Sequence, residues 1–431
     1  MLRLCSTVSF ALLIIAGLSV KLAAQGNTSP GQTTSCRSTW TAPVPLRMPD
    51  GRPVYIEPGS VGQNGNKVIT LGGPSFVWLS PTVFVPDPRD TVAAKATVVN
   101  SIWNFTRAGF LFDSTGHVTP IDPPPLGMKQ AKPRLFRLDG NELGVVWGQD
   151  LDDSHRRERI FYARIKDGKW IDPLLIVDSV ADWQRNGGLS GITNTNPFYA
   201  VKEDSKSGPK RFAVGFLDNG VWKKFKVPIE GLAPSVNVIP LKDAVVALIE
   251  RGDHPDAGVW AMRLLRSHSD TLAVETTARL DSGSGSATRE ALLFKLGADS
   301  VLAVWTYRAD GSYSLRSALS SDGGKKWHVL ASIPASGRIN FLGGTRTNSG
   351  DIHLVYNTNT SAALGPSGAI NHVSFSNGKW SAPDAVTDHE VHGPVIGPAA
   401  NGVVVTWAEY ENQWGFVVAP RSYASWLKSC R

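Results

Sequence analysis

Between residues 134 and 179 the hydrophobic positions fall into four short runs. Arg134-Leu135-Phe136-Arg137-Leu138 comes first and Leu143-Gly144-Val145-Val146-Trp147 second. Ile160-Phe161-Tyr162-Ala163-Arg164-Ile165 is third. After Asp167-Gly168, Trp170-Ile171-Asp172-Pro173 is fourth. The runs are rich in β-branched and aromatic residues and are bounded by turn residues. No long segment keeps the 3.6-residue period of an amphipathic helix. This pattern predicts antiparallel strands joined by hairpins at Asp/Asn-Gly turns, an all-β chain.

The same grammar recurs along the chain. A second strand ending near an aromatic or large apolar residue is found at Phe76-Val77-Trp78, Val145-Val146-Trp147, Phe198-Tyr199-Ala200-Val201 and Val245-Val246-Ala247-Leu248. It is found again at Leu302-Ala303-Val304-Trp305, His353-Leu354-Val355-Tyr356 and Val404-Val405-Thr406-Trp407, which makes seven copies. Fourth strands follow near His117, Trp170, Trp222, Thr271, Trp327 and Trp380, and the last repeat has none before the chain ends. A period of about 50 residues with a hairpin in each copy predicts a β-propeller. The expectation is seven four-stranded blades, with six as the alternative if the irregular first blade, with its insertion at about residues 80–105, is misread. Thr39-Trp40-Thr41-Ala42-Pro43 matches Lys379-Trp380-Ser381-Ala382-Pro383. The early segment is therefore expected to supply the missing outer strand and close the ring against residues near 414–420, leaving no free sheet edge.

The turns carry a finer signal. Ser320-Ser321-Asp322-Gly323-Gly324-Lys325-Lys326-Trp327 reads Ser-x-Asp-x-Gly-x-x-Trp, with worn copies at Asp167–Trp170, Asn219–Trp222 and Asn377–Trp380. The octet resembles the Asp-box of the sialidase-like propeller superfamily, and the blade grammar covers about residues 36–430. The resemblance implies a propeller in which Ser320, Asp322, Gly324 and Trp327 are structural, away from the ligand. The physics agrees. A turn Asp accepts nearby backbone amides, Gly takes a positive φ, and Trp fills the space beneath. Sialidases also carry a Phe/Tyr-Arg-Ile-Pro stretch, three arginines for the substrate carboxylate, a Tyr/Glu nucleophile pair and an acid Asp. No Arg-Ile-Pro tripeptide occurs in this chain.

Residues 1–24 read as a secretory signal. Arg3 precedes the apolar run Phe10–Leu18, and Leu22-Ala23-Ala24 offers a cleavage site. Residues 25–35 read as a flexible leader. A secreted, extracellular or periplasmic protein is expected, with no membrane span in the mature chain. Loss of Arg3 and Lys21 leaves 42 basic against 37 acidic residues, so the formal charge falls from +7 to +5. That mild balance, with no basic run, argues against a nucleic-acid partner. Of the three cysteines, Cys5 leaves with the signal, and Cys36 and Cys430 are expected to pair in an oxidising compartment.

In this blade order the first strand starts, and the second strand ends, on one face around the channel mouth, the default binding surface of a propeller. Arg134, Arg289, Glu290, Arg338 and His392 open first strands. Asp150, Glu250, Arg251, Arg308, Glu409 and Tyr410 end second strands. Guanidinium forks suit carboxylates, so Arg134, Arg289 and Arg338, with Arg308 and Arg251, are candidate substrate-binding groups. Trp183 with Arg185 offers a sugar-stacking pair. Tyr410, Glu409 and Asp150 are the candidate catalytic groups, since a carboxylate beside a phenol can take its proton. No cofactor is expected. Asp388-His389-Glu390-Val391-His392 lacks metal-ligand spacing, and the charged stretch Asp150–Arg159 reads as self-neutralised. Three functions stay open: a platform binding a glycan or other small anion, an exo-glycosidase on acidic sugars, and a structural module of a cell-surface assembly with a protein partner. A monomer is expected.

Overall fold

The computed structural model describes residues 39–47, 49–51, 55–56, 67–70, 76–79, 83–84, 109–121, 134–138, 142–150, 158–166, 169–180, 198–203, 211–218, 220–227, 235–251, 258–266, 271–281, 286–359, 368–388, 391–399, 402–409, 412–413, 416–417 and 421–428. All regular structure there is β. Among the described residues no helix is long and apolar enough to cross a membrane.

Five successive sheets are built from consecutive strands. Sheet I comprises Arg134–Arg137, Leu143–Asp150, Glu158–Lys166 and Lys169–Val180. Sheet II comprises Phe198–Glu203, Arg211–Asp218 and Val221–Val227. Sheet III comprises Ser235–Pro240, Ala244–Arg251, Gly258–Arg266 and Leu272–Arg279. Sheet IV comprises Ser286–Lys295, Val301–Ala309, Ser312–Ser320 and two short outer strands, His328–Val329 and Ile333–Ala335. Sheet V comprises Arg338–Arg346, Ile352–Asn359, Ala369–Ser376 and the outer pieces Lys379–Trp380 and Asp384–Ala385. Within each, every pairing is antiparallel and the order is that of the chain.

The two ends of the domain are built otherwise. Lys67–Thr70, Phe76–Leu79, Gly109–Phe112 and Val118–Ile121 form one sheet that passes over Val83–Phe84. Val83–Phe84 pairs instead with Tyr55–Ile56, in the sheet of His392–Ala399, Gly402–Glu409 and Arg421–Lys428. Thr39 and Trp40 lie opposite Lys428 and Leu427, and Val44 and Pro45 opposite Ala424 and Tyr423. The early strand therefore meets residues 423–428, not 414–420. Asn412–Gln413 and Phe416–Val417 form a separate two-stranded hairpin.

Leading strands of neighbouring sheets lie side by side. Ser235–Pro240 packs on Ser286–Lys295, which packs on Arg338–Arg346, then His392–Ala399, Lys67–Thr70 and Arg134–Arg137. This is a β-propeller arrangement. The expected seven like blades of four strands, and the six-bladed alternative, are corrected. The regular blades number five, with three to five strands each among the described residues. The misreading has a physical source. A repeat count assumes that each blade is one uninterrupted excursion, whereas both chain ends form sheets from distant strands.

The core lies between sheets. Trp305, fully buried, packs with Ile239, Val246 and Leu248 of sheet III, so this second-strand aromatic fills the gap between blades III and IV. Trp407 does the same beside Val355 and Ile370 of sheet V. Outer-strand tryptophans reach back to the preceding blade. Trp222 meets Tyr162 of sheet I edge-on at 5.3 Å, and the Trp380 indole donates to Ser317 Oγ of sheet IV at 2.9 Å.

Candidate ligand-binding face

The strand ends singled out from sequence fall at matching ends of several sheets, because each second strand runs antiparallel to its first. Arg134 opens sheet I opposite Val146, and Asp150 ends the next strand opposite Glu158. Glu250 lies opposite Ser235, and Arg251 follows it opposite Gly258. Arg308 is opposite Ser286, Arg338 opposite Asn359, His392 opposite Ala408 and Glu409 opposite Arg421. Arg289 and Glu290 fall where the sheet IV register slips, between Ala287 and Ala291. For Arg134, Asp150 and Arg251 the backbone register defines the position. Trp183, Arg185, Tyr410, His389, Glu390, Cys36 and Cys430 lie outside the described residues, as do the signal, the leader and most of the 80–105 insertion.

Three side chains on this face can be followed further. Arg338 and Arg308 are exposed. The Arg308 guanidinium carbon sits 5.5 Å from the centre of the Tyr313 ring, a cation–π prop that holds the fork outward. Glu409 is already engaged, since one oxygen accepts the N–H of the buried Trp407 indole at 2.8 Å. Beside Arg338 the second strand of sheet V turns polar. Asn357, Thr358 and Asn359 are buried, and Thr358 Oγ1 accepts from Asn371 Nδ2 at 3.1 Å. Sequence reasoning passed over these residues, although three polar positions ending a hydrophobic strand are a visible signal.

The octet Ser320–Trp327 is elsewhere, on the hairpin leaving the third strand of sheet IV. Asp322 Oδ1 accepts from Ser320 Oγ at 2.9 Å, Lys325 N at 3.0 Å and Lys326 N at 2.9 Å. Ser320 Oγ in turn accepts from Gly324 N at 2.8 Å. Burial would raise the Asp322 carboxyl, but the Lys326 amide, the Ser320 hydroxyl and the Lys325 amide outweigh it and hold it below the usual carboxylate range. Gly324 has φ +91°, and a Cβ there would stand 2.9 Å from Val246 Cγ2. Trp327 packs on the cluster shared by sheets III and IV. The turn is also braced from sheet III. The Arg263 guanidinium donates to Gly323 O at 2.7 Å and pairs with Glu275. Arg263 is the one charge in the run Val259-Trp260-Ala261-Met262-Arg263-Leu264-Leu265, which is the signal that would have found it.

A second carboxylate-centred turn lies at Asp113. Its Oδ1 accepts from Thr115 N at 2.8 Å and Thr115 Oγ1 at 2.6 Å. Gly116, at φ +84°, hands its carbonyl to Arg47 N at 2.8 Å, so this hairpin docks on the early segment. Among the described residues no group of three or more His, Cys, Asp or Glu is placed to hold a metal ion.

The fold is a β-propeller arrangement, with charged residues at the strand ends of several sheets. No protein-family model matches the chain, and comparison with curated proteins gives no match. Among solved structures, the α-L-arabinofuranosidase Arb93A from Fusarium graminearum is 12% identical, with 69% of this chain and 92% of that chain covered at a TM-score of 0.41. An ulvan lyase, a polysaccharide lyase, is 10% identical over 84% of this chain and 85% of its own, at a TM-score of 0.34. AofleA from Arthrobotrys oligospora is 10% identical over 81% and 95%, at a TM-score of 0.41. Two of these three are carbohydrate-active enzymes. Likeness at this level carries no statement about the chemistry of this chain, which rests on its own side chains.

Proposed function

We propose that this chain is an exported binding platform whose strand-end face takes an acidic glycan or a similar small anion. The observation that supports it is one of position: Arg134, Arg251, Arg308 and Arg338 sit at corresponding strand ends of four different sheets, and Arg289 lies at the register slip near the start of the strand paired with that of Arg308. Arginines brought to one face from separate blades suit a multivalent anion, because each fork can take two oxygens of a carboxylate or sulfate. The exposed Arg308, propped on Tyr313, and the exposed Arg338, beside a polar strand end, are the two best-defined members. Binding is favoured over hydrolysis because the turn motif is present while no Arg-Ile-Pro tripeptide accompanies it.

The test is calorimetric titration of the mature protein with uronate-containing and neutral oligosaccharides. Acidic ligands should bind and neutral ones of equal length should not. Arg308→Ala and Arg338→Ala should each weaken binding by about 1–3 kcal/mol with an unchanged melting temperature. Equal affinity for both ligand classes, or full affinity in both variants, would overturn the reading. Release of reducing sugar at enzymatic rates would replace it with the hydrolase.

A further inference from the structure

Sheet V holds a row of titratable side chains that the strand-end face does not use. His353 Nδ1 lies 2.9 Å from His372 Nε2, and the two rings stack with centroids 5.2 Å apart. His372 Nδ1 lies 2.7 Å from Asp384 Oδ1. The other oxygen of Asp384 accepts from the Trp40 indole N–H at 3.1 Å, across 344 residues of sequence. The Trp40 ring also meets His372 edge-on at 5.1 Å. The early strand, paired through Thr39 and Trp40 with Lys428 and Leu427, is thus tied through Trp40 to a different blade.

The row has a limited capacity for protons. A carboxylate only accepts, so His372 donates to Asp384 from Nδ1. With both rings neutral, His372 Nε2 then accepts from His353 Nδ1–H. One N–H fits between the two facing nitrogens, donated from either side. A hydrogen on both sets N–H against N–H at this distance, and the contact must open. We propose that His353, His372, Asp384 and Trp40 form a proton-operated latch, closed at neutral pH, that lets go of the amino-terminal strand in acid before the blades unfold.

The surroundings fit such a device. His353 and His372 are both buried, and burial first, then the neighbouring His372, holds the His353 imidazole down to about 4 against the attraction of Asp351 and Asp384. Tyr356, on the same strand, is pushed up to about 12 by burial and by Asp384, so it stays neutral throughout. From the leading strand of sheet V, Thr345 lies opposite His353, and the neighbouring Arg346 is turned to Leu296 O. The adjacent strand His392–Ala399 has one titratable residue, His392, at its start. The early strand contributes Trp40. The segment that Trp40 anchors is otherwise held on residues 421–428, through Thr41 N to Trp426 O at 2.9 Å, Trp426 N to Thr41 Oγ1 at 3.0 Å, Ser425 Oγ to Thr41 O at 2.8 Å and Leu46 N to Ser422 O at 2.9 Å, and at its far end by Arg47 N to Gly116 O at 2.8 Å.

Hydrogen exchange on the full chain, followed by mass spectrometry between about pH 6.5 and 4 and corrected for intrinsic rates, tests the proposal. Peptides covering 39–47 and 421–428 should lose protection at least about tenfold more than those of sheet III. His353→Gln keeps a donor but cannot titrate, and should abolish the excess loss. His353→Phe serves the same purpose should the amide disturb folding. Uniform loss across all sheets in the wild-type protein overturns the latch, and that comparison decides even if no variant folds. Persistence of the excess loss in a folded His353 variant overturns it equally.

Discussion

Asp322 shows how much of a turn one carboxylate can organise. Three donors from Ser320, Lys325 and Lys326 converge on a single oxygen. Asp322→Ala should lower the unfolding free energy by about 1–3 kcal/mol in urea titration, and Asp322→Asn should lose less. The acid dependence has a definite sign. The folded carboxyl is held below its ordinary value, so its contribution is present above the unfolded pKa and is lost as pH falls through the folded one. The gap between wild type and Asp322→Ala should therefore narrow in acid, and a gap that widens would contradict the role. Ligand binding by the folded variant should be unchanged. This site was legible in the sequence because its hydrogen-bonding groups lie within eight residues, so motif and geometry coincide. The Arg263 brace was not, because its partner carbonyl at Gly323 is 60 residues away.

Strands and hairpins were legible for the same reason of locality. Alternation and Asp/Asn-Gly turns place most strands of sheets I to V, and the outer-strand tryptophans sit between blades as their bulk demands. What local pattern cannot specify is which distant strand completes an edge. Val83–Phe84 looks like part of an insertion, yet it pairs with Tyr55–Ile56 in the closing sheet. The contact between sheets III and IV can be tested at this scale. Arg263 is only 11% exposed in its side chain and touches both Glu275 and Gly323 O. Arg263→Ala leaves a half-buried carboxylate and a carbonyl without their shared donor, and should destabilise by about 2–4 kcal/mol. A double-mutant cycle with Glu275→Gln should return a coupling of about 1 kcal/mol or more. Strictly additive losses would show that the pair is not coupled and that the brace acts through Gly323 alone.

At the scale of the whole molecule, which strand ends share a side of the sheets follows from strand direction alone, so those positions are legible in the sequence. The buried histidine row is not, because it joins Trp40, His353, His372 and Asp384 from four different strands. It nonetheless governs a global property. The His353 imidazole is lowered from 6.5 to about 4 in the folded state. A lowered histidine is neutral when folded and protonated when unfolded over that interval, so the unfolded chain binds more protons and stability falls as the pH falls. The contribution is fully present above about pH 6.5, is lost progressively down to about pH 4, and changes no further below that. The shift corresponds to roughly 3 kcal/mol, since each pKa unit is worth about 1.4 kcal/mol. Urea titrations of the wild-type protein should show a decline of that order across the interval, on top of the shallower carboxylate losses that begin lower. His353→Gln should flatten the upper part of the curve while leaving the lower part, where Asp322 and its like titrate, in place. A wild-type profile level between pH 6.5 and 4, or an undiminished decline in His353→Gln, would mean that the histidine row does not set acid stability.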